Sequence, residues 1–193
     1  MKTVIAKLKS LSPYSQSKNV TEKKPKSENY EEFEDRVWRN KMHTTQDGHV
    51  MIPPMCFKNA LSEAAKYLSI QVPGKGKATF TRYFEAGVLC TEPLVLPLKV
   101  EDVEPERVFC ASDGKRGGNS PRVWRTFPTI QSWEGKVSFT IIDEVVLQLM
   151  PDGEGTVFEH VLTQTGLIIG IGRWRVRNNG MYGRFTVEGI EIA

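Results

Sequence analysis

The chain has 193 residues, 39% hydrophobic and 25% charged, with a formal net charge of +3. This fits one domain with insertions, residues 1–193, and so small a surplus of charge argues nothing until its distribution is known. Cys56, Cys90 and Cys110 are odd in number and widely spaced, which argues against a disulfide framework, and no Cys/His cluster suggests zinc. Reduced thiols point to the cytoplasm. No apolar run approaches the ~18 residues of a membrane span, and none at the start resembles a signal peptide, so no membrane role is expected.

Thr3 to Leu11 places Val4, Ala6 and Leu8 on one parity, the pattern of a half-buried strand, and Ser12-Pro13-Tyr14-Ser15 stops it. Residues 16–47 form a polar insertion: a flexible first half, then a short helix from Tyr30 to Met42 whose alternating charges read as a solvated face. Gly48 to Pro54 is a short strand. The helix from Met55 to Leu68 carries an apolar stripe of Phe57, Ala60, Leu61, Ala64, Ala65 and Leu68. Thr79 to Leu96 is rich in β-formers and predicts one or two strands, and Arg107 to Ala111 another. Residues 112–122 read as a mobile basic loop. Val123 to Ile130 and Lys136 to Ile142 are strands. A second helix spans Thr156 to Gly166, with Thr156 as N-cap but no glutamate to complete a capping box, and Gly166 as C-cap. Phe185 to Ile192 closes the chain as a strand. The order predicts an α+β fold, a ferredoxin-like or modified RNA-recognition fold (split β-α-β) with inserted loops, its helices on one sheet face and the other face free for a ligand.

The twelve residues from Arg173 to Arg184 hold four arginines and no acid, interleaved with Trp174 and Tyr182. Arginine forks suit phosphate oxygens, and aromatic faces suit unstacked bases. Glycines at 170, 172, 180 and 183 let the backbone approach a phosphodiester. Two segments repeat this chemistry: Gly74 to Arg82, with Lys75, Lys77 and Arg82; and Asp113 to Arg125, with Lys115, Arg116, Arg122 and Arg125. Folded together they would make a concentrated basic surface. No nucleotide-loop signature is present, and no cofactor, metal site or catalytic constellation is expected. His43 and His49 flank Asp47 and read as solvated loop residues.

Three motifs resemble the RAMP superfamily, the RNA-binding backbone subunits of CRISPR effector complexes and their stand-alone relatives. Leu8-Lys9-Ser10-Leu11-Ser12-Pro13-Tyr14 resembles the first strand and its Ser-Pro turn. Val50 to Leu61 is similar to the Ile-Pro-Gly-Ser-Ser-Leu-Lys-Gly-Ala-Leu entry to the first helix, although Pro54, Met55 and Asn59 replace small residues. Gly170 to Phe185 looks like the C-terminal glycine-rich loop, longer and richer in arginine. The resemblance implies RNA held along its backbone, Lys58 near it, and head-to-tail homo-oligomers or effector-complex subunits as partners. Some members cut RNA with an aspartate after the first strand. Here Ser15-Gln16-Ser17-Lys18 offers none, the nearest being Asp35, so binding without cleavage is expected.

The expected function is therefore non-enzymatic binding of single-stranded RNA, or single-stranded DNA, by a CRISPR-backbone-like subunit or a compact phage-type stand-alone relative. Lys58, Lys75, Lys77, Arg82, Lys115, Arg116, Arg173, Arg175, Arg177 and Arg184 would bind the strand, and Trp174 and Tyr182 would stack on its bases. The competing readings are a metal-independent endoribonuclease using His43 or His49 with Tyr14, and a phage-type interaction module or inhibitor of a host nucleic-acid-binding complex.

Overall fold

The computed structural model describes residues 1–112, 119–151 and 153–193. In chain order its elements are β1 (Lys2–Ser10), β2 (Tyr14–Ser15), α1 (Tyr30–Val37), β3 (His49–Ile52), α2 (Pro54–Leu68), α3 (Thr81–Gly87) and β4 (Val88–Leu89). They continue with β5 (Leu94–Lys99), β6 (Glu104–Ala111), β7 (Arg122–Ile130), β8 (Glu134–Ile141), α4 (Val157–Gln164) and β9 (Phe185–Ile192).

The central sheet runs β4-β8-β1-β9, antiparallel at every pairing. Strand β1 passes through α2 and α3 to β4, and β8 passes through α4 to β9. Each crossover skips one strand, so the two β-α-β units interleave in the ferredoxin-like order. Val4, Ala6 and Leu8 of β1 and Val137, Phe139 and Ile141 of β8 are buried on one face. Against them pack Phe57, Ala60, Leu61, Ala64 and Ala65 of α2 and Val157, Phe158, Val161 and Leu162 of α4. Phe158 joins the layers, its ring 5.4 Å from Phe139 and 6.3 Å from Phe84. Each such ring or branched side chain contributes roughly 1.5–3 kcal/mol by leaving water.

The uncovered face of β1, β8 and β9 is charge-balanced. Lys7 and Lys9 pair with Glu188, and Lys136 with Glu191. This face is the one the strand pattern leaves open for a ligand, yet its cations are neutralised.

Two smaller sheets flank the central one. Strands β2-β7-β6 form the first and β3-β5 the second. The polar insertion packs on the first through a buried pair: Glu34 of α1 meets Lys41, whose Nζ also donates to the Thr126 carbonyl at 2.7 Å. The alternating charges of α1 are therefore not a simple solvated face, because Glu34 points inward and is only 8% exposed.

Three other sequence readings change. Residues Thr81–Gly87 are helical, not strand: Phe80, Tyr83, Phe84 and Gly87 are buried at a helical spacing that the β-forming composition masks. Glu159 stands at the third helical position of α4 and completes the capping box with Thr156. Gly166 does not end that helix. The chain continues as a π-helical turn over Thr165–Ile169 and stops at Gly170, φ 72°. Gly166 is small for another reason, since a Cβ there would collide with the Phe185 backbone.

Candidate nucleic-acid interface

Where β1 ends, the chain is laced to the C-terminal loop by backbone hydrogen bonds. Leu11 N–H donates to the Arg184 carbonyl (2.8 Å), Gly183 N–H to Pro13 (2.7 Å) and Arg173 N–H to Ser15 (2.9 Å). Gly172, with φ 77°, lies against Tyr14, and Gly180 lies so close to Trp174 that a Cβ would strike its carbonyl. The glycines thus serve close packing of backbone on backbone. Trp174 itself sits at φ 52°, a left-handed conformation uncommon outside glycine and asparagine.

This lacing brings all three sequence motifs to one place. A cleft of about 600 Å³ is walled by Tyr14, Ser15, Gln16 and Ser17, by Pro53, Met55, Cys56 and Asn59 at the entry to α2, and by Gly172, Arg173, Arg175 and Asn178. His43 completes it. Its backbone N–H donates to Gln16 Oε1 (2.7 Å), and burial together with nearby Lys18 holds its imidazole pKa below the usual range. The Tyr14 phenol is buried, 3.8 Å from Cys56 Sγ, and burial raises its pKa well above the ordinary value.

A larger cleft of about 1080 Å³ adjoins the first, sharing Ser17, Arg173 and Asn178 with it. The insertion supplies Lys18, Asn19, Val20, Phe33, Glu34, Val37 and Lys41; β6 and β7 supply Val108, Phe109, Arg122, Arg125 and Phe127; the C-terminal loop supplies Arg173 and Trp174. Arg173 lies over two rings, its Cζ 3.2 Å from the Phe127 centroid and 3.8 Å from that of Trp174. Burial lowers its pKa to about 10, so it stays charged at neutral pH. Tyr182, at 6.0 Å from Trp174, donates to Glu106 Oε1 (2.6 Å), and burial followed by that carboxylate pushes its pKa up to about 12.

The sequence-predicted residues fall into four groups. Arg173, Trp174 and Arg175 line the clefts. Arg175 and Arg177 both pair with Glu63 of α2, at 2.8 and 3.2 Å. Tyr182 and Arg184 buttress the same loop from behind, with Arg184 N–H donating to Ser12 Oγ at 3.0 Å. The others lie apart: Lys58 Nζ donates to the carbonyls of Phe84 (2.6 Å) and Glu85 (2.8 Å), holding the end of α3, while Lys75 and Arg82 converge on the Tyr83 hydroxyl at 3.1 and 2.7 Å and Lys77 is exposed. Lys115 and Arg116 fall outside the described residues, as does most of the basic loop over 112–122.

Sequence reasoning did not single out Lys18, Lys41, Phe33, Phe109 or Phe127 for the site. Only the docking of the insertion onto β7 brings them to the arginine loop. A local signal existed for Arg122 and Arg125, which already stood out as a basic run. Among the described residues no helix is long and apolar enough to cross a membrane, and no cluster of three or more His, Cys, Asp or Glu could hold a metal ion.

No protein-family profile and no curated protein matches the sequence. Solved structures do match in fold. A chain of a Type III-B Cmr-beta assembly bound to cognate target RNA superposes with a TM-score of 0.53 at 12% identity, covering 99% of this chain and 60% of that one. Cmr6 from Pyrococcus furiosus gives 0.47 at 11% identity, with 96% and 97% covered. A chain of a CRISPR RNA-guided surveillance complex gives 0.42 at 12%, with 98% and 68% covered. This chain therefore spans about 60% of the length of the Cmr-beta chain it resembles, and what the two share is the fold. That likeness agrees with the RAMP resemblance of the three motifs, which the ferredoxin-like core sets side by side around the smaller cleft.

Proposed function

We propose that the protein binds single-stranded RNA in the continuous groove formed by the two clefts, as a backbone-like subunit of an effector complex or a stand-alone relative, and holds the strand without cutting it. One observation carries this reading. Basic and aromatic side chains from three distant segments, among them Lys18, Phe109, Arg122, Arg125, Arg173 and Trp174, line one groove. Cations track the phosphates and rings stack on bases, the usual division of labour in single-strand binding. The fold likeness to a protein from an RNA-bound assembly favours RNA over DNA.

Holding rather than cutting is supported by the smaller cleft. His43 is there, but no carboxylate lines it, and Tyr14 is a poor proton acceptor because its phenol is buried. General acid–base cleavage of RNA needs two groups that can exchange protons near neutrality. His49 is bonded to Asp47 at 2.9 Å on β3 and does not line the cleft.

The test is a fluorescence-anisotropy titration of labelled oligoribonucleotide across a salt series. Binding should weaken steeply with salt, with a log–log slope of about −0.7 for each phosphate neutralised. The strand should remain intact on a denaturing gel. Absence of binding at low salt would overturn the reading. Capture of a protein partner that survives nuclease, with no RNA affinity, would instead favour an interaction module.

A further inference from the structure

We propose that the larger cleft is a pocket for a single nucleobase of the bound strand, read by Arg173 through the base's acceptor edge, and that guanine is the base it fits. The inference rests on the RNA-binding reading and specifies what one part of the groove does.

The cleft is layered by polarity. Its depth is apolar: Val37 is 1% exposed and Phe127 4%. Its exposed cations, Lys18 and Arg122, belong to the outer part. A phosphate gains nothing from apolar walls and is served by exposed cations, whereas a base gains by leaving water against rings. A base inside with its phosphates outside satisfies both layers.

Arg173 sets which base. The rings of Phe127 and Trp174 occupy the faces of its guanidinium, so its N–H donors point along its own plane. Nη1 of that fork is buried and has no hydrogen-bond partner among the described residues. A buried donor left open asks for an acceptor, and the paired in-plane acceptors that match a guanidinium fork on a base are O6 and N7 of guanine. Adenine offers an amino group where O6 would be, cytosine an amino group and uracil a single carbonyl. Glu34 adds the complementary half. Its carboxylate lines the same cleft, and Arg125 Nε meets its Oε1 at 3.4 Å, long for a hydrogen bond, which leaves acceptor capacity for an amino donor such as that of guanine.

The experiment uses the full chain and oligouridylate carrying one central guanine, adenine or cytosine, at fixed salt. Guanine should tighten binding about 10-fold over uracil, and adenine and cytosine should not. Replacing that guanine by 7-deazaguanine, which lacks the N7 acceptor, should remove most of the gain with wild-type protein, so the outcome does not depend on any variant folding. Arg173→Lys, which keeps the charge and loses the fork, should bind all strands alike. Equal affinity of the wild type for all four strands would overturn the base pocket while leaving RNA binding in place. Absence of binding to every strand would instead remove the reading on which it rests.

Discussion

Gly172 and Tyr14 touch across the junction between the C-terminal loop and the end of β1: a Cβ on Gly172 would lie 2.8 Å from Tyr14 Cδ2 and 2.6 Å from the Ser15 carbonyl oxygen. The backbone there is also at φ 77°, so alanine meets both a collision and torsional strain. Gly172→Ala should cost about 2–4 kcal/mol of stability in denaturant unfolding. It should also weaken RNA binding more than it weakens the fold, because it shifts the wall shared by both clefts. An RNA affinity unchanged in folded Gly172→Ala protein would detach this junction from the groove.

Glu63 holds two of the four loop arginines. Arg175 and Arg177 pair with it, and all three side chains are at least partly solvent-accessible, so the pairs themselves contribute little to stability. Glu63→Gln should leave the unfolding midpoint nearly unchanged, free both cations for phosphates, and tighten RNA binding at low salt. The salt dependence should steepen, by roughly 0.7 in log–log slope for each newly engaged phosphate. Weaker binding would mean that the clamp positions these arginines instead of occupying them.

Lys41 and Glu34 form the buried pair between the insertion and β7, and burial lowers the lysine pKa in spite of its partner. Removing one member leaves an uncompensated buried charge. Glu34→Gln should destabilise by about 3–5 kcal/mol, and Glu34→Gln with Lys41→Met should recover part of that loss. A double-mutant cycle by urea unfolding measures the coupling. If the two effects simply add, the pair is not what fastens the insertion.

His43 predicts a pH dependence of stability. Its folded-state pKa is held below the ordinary value of about 6.5, first by burial and then by Lys18. As pH falls through about 6.5, the unfolded chain takes up the proton before the folded one, so stability drops with falling pH. The unfolding midpoint of wild type, measured against His43→Gln, should therefore fall between pH 7 and pH 5.5. A constant difference over that range would show that this imidazole does not titrate against the fold.

The ferredoxin-like order was legible because its signals are periodic. Alternation in β1 and β8 and the stripes of α2 and α4 each name a buried face, and the structure buries the residues so named. Helix α3 was not legible, since β-branched and aromatic residues at Thr81, Tyr83 and Phe84 mask a helical spacing. For the candidate site, the glycine-arginine loop could be found from local charge alone. Its neighbours Lys18, Phe33 and Phe127 could not, because they meet it only through contacts far apart in sequence. Lys58 illustrates the opposite error: a lysine matching a family motif here donates to two helix-end carbonyls.

The balanced face of the central sheet has a consequence for encounter. Lys7, Lys9 and Lys136 are matched there by Glu188 and Glu191, whereas Lys18, Arg122, Arg125 and Arg173 gather in the groove. The molecule therefore carries an electrical asymmetry larger than its net charge of +3 indicates. An approaching polyanion feels a torque as well as an attraction, and the protein turns its groove toward the strand before contact. Orientation on approach is thus built into the charge pattern, and it fades as added salt shortens the reach of the field.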